Sequence, residues 1–266
     1  FAQSGTIALA AGEAFELLFD NKNSLTNIIV DPGTIKTLVD NGNALHAPGG
    51  LIILSAQAAD KIQGSVVNSS GIIEANAINT KGGRIFLDAG NGVTTVSGNI
   101  NASSSNANGG QVQITGDQVI IAEGAAISAT GATGGGQILL GGSWQNTDPT
   151  VKQSTSTFVA ASATVDASAV EIGNGGTIVA WSDITNRNSI TEVDGSLYAR
   201  GGSVSGSGGR IETSGYWLDT NSAKGDASAP RGQSGLWLLD PITVTIGASS
   251  AGGGFFISGN AQAWIP

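Results

Sequence analysis

The chain of 266 residues has no cysteine, no methionine, a single histidine and only 6 prolines, and each shortage removes a class of explanation. Without cysteine there are no disulfides, no thiolate nucleophile and no zinc site built on sulfur. The same absence suits a chain that must stay unfolded while it crosses an envelope. The lack of methionine gives the expectation that the chain is a processed or excised piece of a longer product. No basic leader with an apolar core opens the sequence, and no run approaches the ~18 apolar residues of a transmembrane helix. Proline is too scarce, and glycine too aperiodic, for a collagen. Charged residues make up 12 %, with 11 basic against 20 acidic and a net charge of −9. Lysine and arginine never cluster, so the footprint of a nucleic-acid binder is missing. An acidic surface also disfavours anionic membranes and favours solubility. It reads as an extracellular surface without a polyanionic partner.

What the chain has in abundance is glycine, 41 residues, and its placement carries the argument. Six Gly-Gly pairs each precede a short alternating strand: Gly49-Gly50 before Ile52 and Leu54, Gly82-Gly83 before Ile85 and Leu87, and Gly109-Gly110 before Val112 and Ile114. The others are Gly135-Gly136 before Ile138 and Leu140, Gly175-Gly176 before Ile178, and Gly208-Gly209 before Ile211. Glycine suits a tight corner, and apolar residues two apart mark a strand with one buried face. A second motif, close to Gly-x-Ile-x-Ala, lies between the pairs and centres on Ile73, Ile100, Ile127, Val165 and Leu197. Its steps are 27, 27, 38 and 32 residues, so the longer two carry inserted loops, placed at Gly142 to Phe158 and Ser182 to Ser189. One short strand cannot bury its face alone, whereas stacked copies can. The expected fold is therefore all-β, a right-handed parallel β-helix with corner-loop insertions.

Three segments are expected: irregular N-terminal rungs with a possible hairpin cover over 1–48, a regular β-helix over 49–240, and C-terminal strands over 241–266. At roughly 25 residues per rung and ~4.8 Å of rise, the rod should be on the order of 50 Å long. The apolar residues named above should line the core. Residues between them should face outward in the column Ile53, Phe86, Gln113, Leu139, Val179 and Glu212. Four of these six are apolar, and such a stripe is rarely left bare. Its expected covers are the Trp144 to Phe158 insertion and the segment from Phe15 to Phe19, or else a second copy of the chain.

Chemistry is sparse. His46 reads as a loop residue, and no metal ligand set or cofactor motif accompanies it. No Gly-x-Ser-x-Gly elbow supports a serine nucleophile, and Gly201 to Gly209 reads as a Gly/Ser turn. Glu192, Asp194 and Asp166 are the only carboxylates worth testing as a glycosidase pair. The outward column Glu74, Asn101, Ser128, Asp166, Tyr198 has two acidic members, not adjacent, and no regular threonine or aspartate ladder of an ice-binding or calcium-binding solenoid. The expectation is therefore no catalysis. All five tryptophans fall in the second half, and Trp181, Tyr198, Tyr216 and Trp217 are the candidate carbohydrate contacts, with packing over corners as the plainer reading.

Gly109-Gly-Gln-Val-Gln-Ile-Thr-Gly with Val119 to Gly142, then Gly175-Gly-Thr-Ile-Val-Ala-Trp-Ser-Asp, Gly195-Ser-Leu-Tyr-Ala-Arg-Gly-Gly, Gly208-Gly-Arg-Ile-Glu-Thr-Ser-Gly and Trp237-Leu-Leu-Asp-Pro-Ile-Thr-Val-Thr-Ile closely resemble the filamentous-haemagglutinin-like exoproteins of two-partner secretion systems. The blocks keep that order over roughly 45–246. The resemblance implies a β-helical protein of the Gram-negative cell surface or medium, carried out by an outer-membrane transporter that serves the parent chain. It implies a structural or adhesive fibre segment, an adhesin or biofilm component whose partners are host or biofilm glycans. Alternatives are a self-assembling unit joined through solenoid ends or the Phe86, Leu139, Val179 face, and a carbohydrate-active β-helix enzyme. The Asn-Pro-Asn-Gly motif typical of the start of that family's secretion domain is absent, so the chain reads as a fragment lacking that start.

Overall fold

A computed structural model describes residues 1–21, 25–31, 37–57, 65–77, 82–241, 244–248, 255–259 and 261–265, with backbone alone at 65 and from 244 onward. The chain winds in rungs of three strands. The first rung holds β1 (Thr6–Ala11), a hairpin of β2 (Ala14–Phe19) and β3 (Leu25–Asp31), then β4 (Thr37–Asn41) and β5 (Ala44–His46). The second holds β6 (Leu51–Ala56), β7 (Ser65–Ser69) and β8 (Ile72–Glu74), and the third β9 (Arg84–Asp88), β10 (Val93–Val96) and β11 (Asn99–Asn101). Then come β12 (Gln111–Thr115), β13 (Gln118–Ile121) and β14 (Ala126–Ser128), followed by β15 (Gln137–Leu140), β16 (Ser156–Val159) and β17 (Thr164–Asp166). The sixth rung is β18 (Thr177–Trp181), β19 (Ile190–Val193) and β20 (Ser196–Tyr198), and the seventh β21 (Arg210–Gly215), β22 (Trp217–Asp219) and β23 (Lys224–Asp226). An eighth opens with β24 (Leu236–Pro241), after which β25 (Val244–Ala248), β26 (Phe255–Gly259) and β27 (Ala261–Ile265) run antiparallel and join the second sheet beside β22.

First, second and third strands of successive rungs pair in parallel, giving three sheets. The registers bear out the expected parallel β-helix. Ile52, Ile85, Val112, Ile138, Ile178 and Ile211 stack directly on one another in the first sheet, and Ile73, Ile100, Ile127, Val165 and Leu197 in the third. All of these are buried, in one continuous core. Eight stacked strands at ~4.8 Å each make a stack of about 34 Å. That is shorter than the chain length suggested, because the hairpin and insertions consume residues without adding rungs. Among the described residues before 49, β1, β4 and β5 stack in register on β6, β7 and β8.

The Gly-Gly pairs serve close approach more than turning. A Cβ on Gly110 would lie 2.1 Å from the carbonyl oxygen of Gly83, and one on Gly109 would lie 1.9 Å from that of Ala129. Neither residue needs a positive φ. The second glycine also joins the two motifs: Gly110 donates its N–H to the Ala102 carbonyl at 2.8 Å, and Gly136, Gly176 and Gly209 repeat this with Ala129, Ala167 and Ala199. Buried threonines fix another corner. Thr94, Thr157 and Thr191 donate their hydroxyls to the carbonyls of Thr115, Trp181 and Ser214 at 2.6, 2.7 and 2.7 Å. A buried hydroxyl without such an acceptor would be costly.

At the last described core layer the two columns exchange volume. Trp237 takes the place of isoleucine in the first sheet, and Gly225 that of leucine in the third. A Cβ on Gly225 would meet the Trp237 ring at 2.3 Å, so the glycine makes room for the indole.

Candidate functional site

Strand alternation turns Ile53, Phe86, Gln113, Leu139, Val179 and Glu212 outward in one row across the first sheet. The row is covered from both ends by the chain itself. At the N-terminal end Ile28 and Val30 of β3 pack on Leu51 and Ile53. The segment from Phe15 to Phe19 does not do this, contrary to expectation. Phe15 and Leu17 pair with Val30 and Ile28 and share their face, but it is β3 that lies over β1 and β6, and the rings of Phe15 and Phe19 stay exposed.

At the other end the insertion after β15 brings Trp144 and Val151 over Leu139, Val179 and Trp181, as expected. Its fastening is polar. The Gln145 N–H donates to Glu212 Oε2 at 2.8 Å, and the Ser214 hydroxyl donates to Oε1 at 3.0 Å. Gln145 and Asn146 adopt left-handed φ of 48° and 50°, unusual for residues with side chains, in the turn that aims this N–H. Arg210 stacks its guanidinium 4.3 Å from the Trp144 ring centroid. Glu212 is fully buried, and burial pushes its carboxyl above the usual glutamate range despite the two donors.

Between the covers lies a cleft of about 360 Å³, walled by Thr26 and Asn27 of the hairpin and Asp148, Thr150 and Lys152 of the insertion. Its floor is Phe86, Gln111 and Gln113, all half-buried. The charges around it are engaged. Asp88 accepts from Gln57 Nε2 at 2.9 Å, the Thr115 hydroxyl at 3.0 Å and the Gly90 N–H at 3.0 Å. Lys152 donates to Asn91 Oδ1 at 2.8 Å and to the Gly90 carbonyl. Thr150 donates both hydroxyl and N–H to Asp148 Oδ1, which holds that carboxyl below its usual range.

The aromatic candidates scatter. Trp181 is 1 % exposed beneath the insertion and donates Nε1–H to Gln153 Oε1 at 3.0 Å, so its ring is not a surface platform. It stands two residues after Val179 on the same face, and the alternation that marked the covered row also placed the tryptophan there. Tyr198 lies on the third sheet under Arg200, whose guanidinium is 4.2 Å from its ring centroid. Tyr216 and Trp217 meet edge to face at 5.9 Å, and Trp217 is 46 % exposed with Nε1–H on the Arg187 carbonyl at 3.0 Å. The structure thus joins Tyr216 to Trp217 and separates both from Tyr198 and Trp181.

Glu192 faces Asp219 across adjacent rungs of the second sheet. Burial, then the charges of Asp194 and Asp219, raise its carboxyl above the usual range. Asp166 is on the third sheet, in the outward column that was expected. His46 is not in a loop: it ends β5, where Leu45 points inward and turns the imidazole outward, its Nδ1 2.8 Å from Glu74 Oε2. No group of three metal-ligating side chains forms among the described residues.

No known family profile matches the sequence, and no curated protein does. Among solved structures the chain is similar to the HMW1 secretion domain from Haemophilus influenzae, with a TM-score of 0.70 and 28 % identity over 90 % of this chain. The chain spans 58 % of that structure's length.

Proposed function

We propose that this chain, a β-helix of the filamentous-haemagglutinin-like exoprotein type, is a structural and adhesive segment of a protein that an outer-membrane transporter delivers to the surface of a Gram-negative bacterium. The observation that carries the reading is the likeness to a secretion domain over 90 % of the chain. The architecture supports it, because a stack of rungs needs neither disulfide nor cofactor and can close one rung at a time as chain arrives. Contact with host or biofilm glycans is the adhesive part of the proposal. Association of copies through the Leu139 and Val179 face is disfavoured, since the chain's own insertion occupies it. The solenoid ends remain, where β1 and β4 each pair on one side alone among the described strands.

The test is export. The chain, joined behind the Asn-Pro-Asn-Gly start of a two-partner secretion domain, is placed ahead of a reporter passenger in a Gram-negative host, with or without the matching outer-membrane transporter. We expect passenger in the medium or on the surface when the transporter is present. Equal release in its absence, or none in its presence, overturns the reading.

A further inference from the structure

We propose that the cleft over Phe86 and Gln113 binds a neutral oligosaccharide. The proposal deepens the adhesive reading above and rests on it for biological context; its physical basis is separate. Of the six residues in the outward row, the covers bury Ile53, Leu139, Val179 and Glu212, and Phe86 and Gln113 are left half-open. The opening falls where the apolar row is interrupted by an amide. Such a position neither asks for a cover nor repels water.

The groups available there select the ligand. Asp88, Lys152 and Asp148 are satisfied within the protein, as described above. What faces the opening is the Phe86 ring and the Gln111 and Gln113 amides, for which no protein hydrogen bond is found among the described residues. An amide donates and accepts at once, which matches vicinal hydroxyls, and an aromatic face matches the C–H surface of a pyranose. Arg84, with its guanidinium carbon 5.9 Å from the ring centroid, steadies Phe86 at the far limit of a cation–π contact.

Two other ligand classes fit worse. An extended peptide ordinarily docks by adding a strand to a sheet edge. Here the floor is a sheet face, its strands β9, β12 and β15 already paired with each other, so no backbone ladder is on offer. A polyanion would meet a protein of net charge −9, and among the described lining residues the cation Lys152 is already bonded to Asn91 and Gly90. The cleft volume lies within the range of roughly 300–1,000 Å³ typical of small-molecule sites.

The experiment titrates the intact chain with neutral gluco-, manno-, xylo- and galacto-oligosaccharides. An oligogalacturonate and an uncharged acetylated peptide serve as comparators, and calorimetry and saturation-transfer NMR read the binding. At least one neutral sugar should bind, and Phe86→Ala and Gln113→Ala should each weaken it about tenfold, the scale of one lost packing or hydrogen-bond contact. Val204→Ala, exposed and outside the cleft, should leave it unchanged. Melting curves of the variants verify that the fold survives. The proposal is overturned if no neutral sugar binds, if binding persists in both cleft variants, or if only the peptide or the anion binds. Transporter-dependent export should be the same for Phe86→Ala as for the wild type; failure of the wild type to be exported while it still binds sugar would strike the secretion reading and leave the cleft standing.

Discussion

Glu212 is the one fully buried carboxylate among the described residues, and its position explains both its cost and its use. Its anion accepts the Gln145 N–H and so fastens the insertion, yet burial makes that anion expensive. An acid that holds its proton more tightly folded than unfolded adds stability as pH falls through the folded value. That gain is complete below the ordinary value of 4.5. The melting temperature of the wild type, measured against Glu212→Gln, should therefore rise as pH is lowered from about 8 to about 5. A difference that does not move with pH would show that the carboxyl is not titrating there. This residue also marks a limit of sequence reading. Its outward parity was legible from Ile211, but its burial depends on a loop that leaves the chain near Gly142. The glycine pairs were legible as corners, whereas their reason, a neighbour's carbonyl within about 2 Å of any Cβ, exists only once rungs are stacked.

Among the elements, the strands were readable because a period of two and a buried face leave little choice of register. The covers were readable only in part. An exposed apolar row demanded that something lie on it, and the insertion was the nearest candidate. The hairpin was harder, since β2 and β3 are both apolar and only packing decides which one sits over the sheet. The pairing of Gly225 with Trp237 is a further case that no local pattern announces. It yields a prediction: Gly225→Leu should displace the indole and destabilise the last rungs, by about 1–3 kcal/mol as overpacking typically costs. Trp237→Leu in the same chain should recover part of the loss by vacating the space. Melting temperatures of the single and double variants test this, and simple additivity of the two losses would refute the exchange of volume.

For the molecule as a whole, stability is a sum over neighbouring rungs, so damage at the centre should divide it. Ile114 is fully buried in the fourth of the seven complete rungs. Ile114→Asp should replace one thermal transition with two, or leave a protease-sensitive site near residue 114. Ile120→Asp, outward in the same rung, should keep a single transition. Calorimetry and limited proteolysis distinguish these outcomes. Identical single transitions would mean that the rod does not behave as a one-dimensional array.

The link from Gln145 to Glu212 also works as a clock. Its partners are 67 residues apart, whereas partners on neighbouring rungs are closer in sequence, 28 residues for His46 and Glu74 and 40 for Leu139 and Val179. In a chain that emerges from its N-terminus, each rung finds its predecessor already waiting. The flap over Leu139 does so only at one end: Lys152 reaches back to Gly90 and Asn91, but the Gln145 end has no latch until the seventh rung arrives two windings later. During that interval the Gln145 end is unfastened, and the patch it later shuts is in contact with whatever surrounds the growing rod.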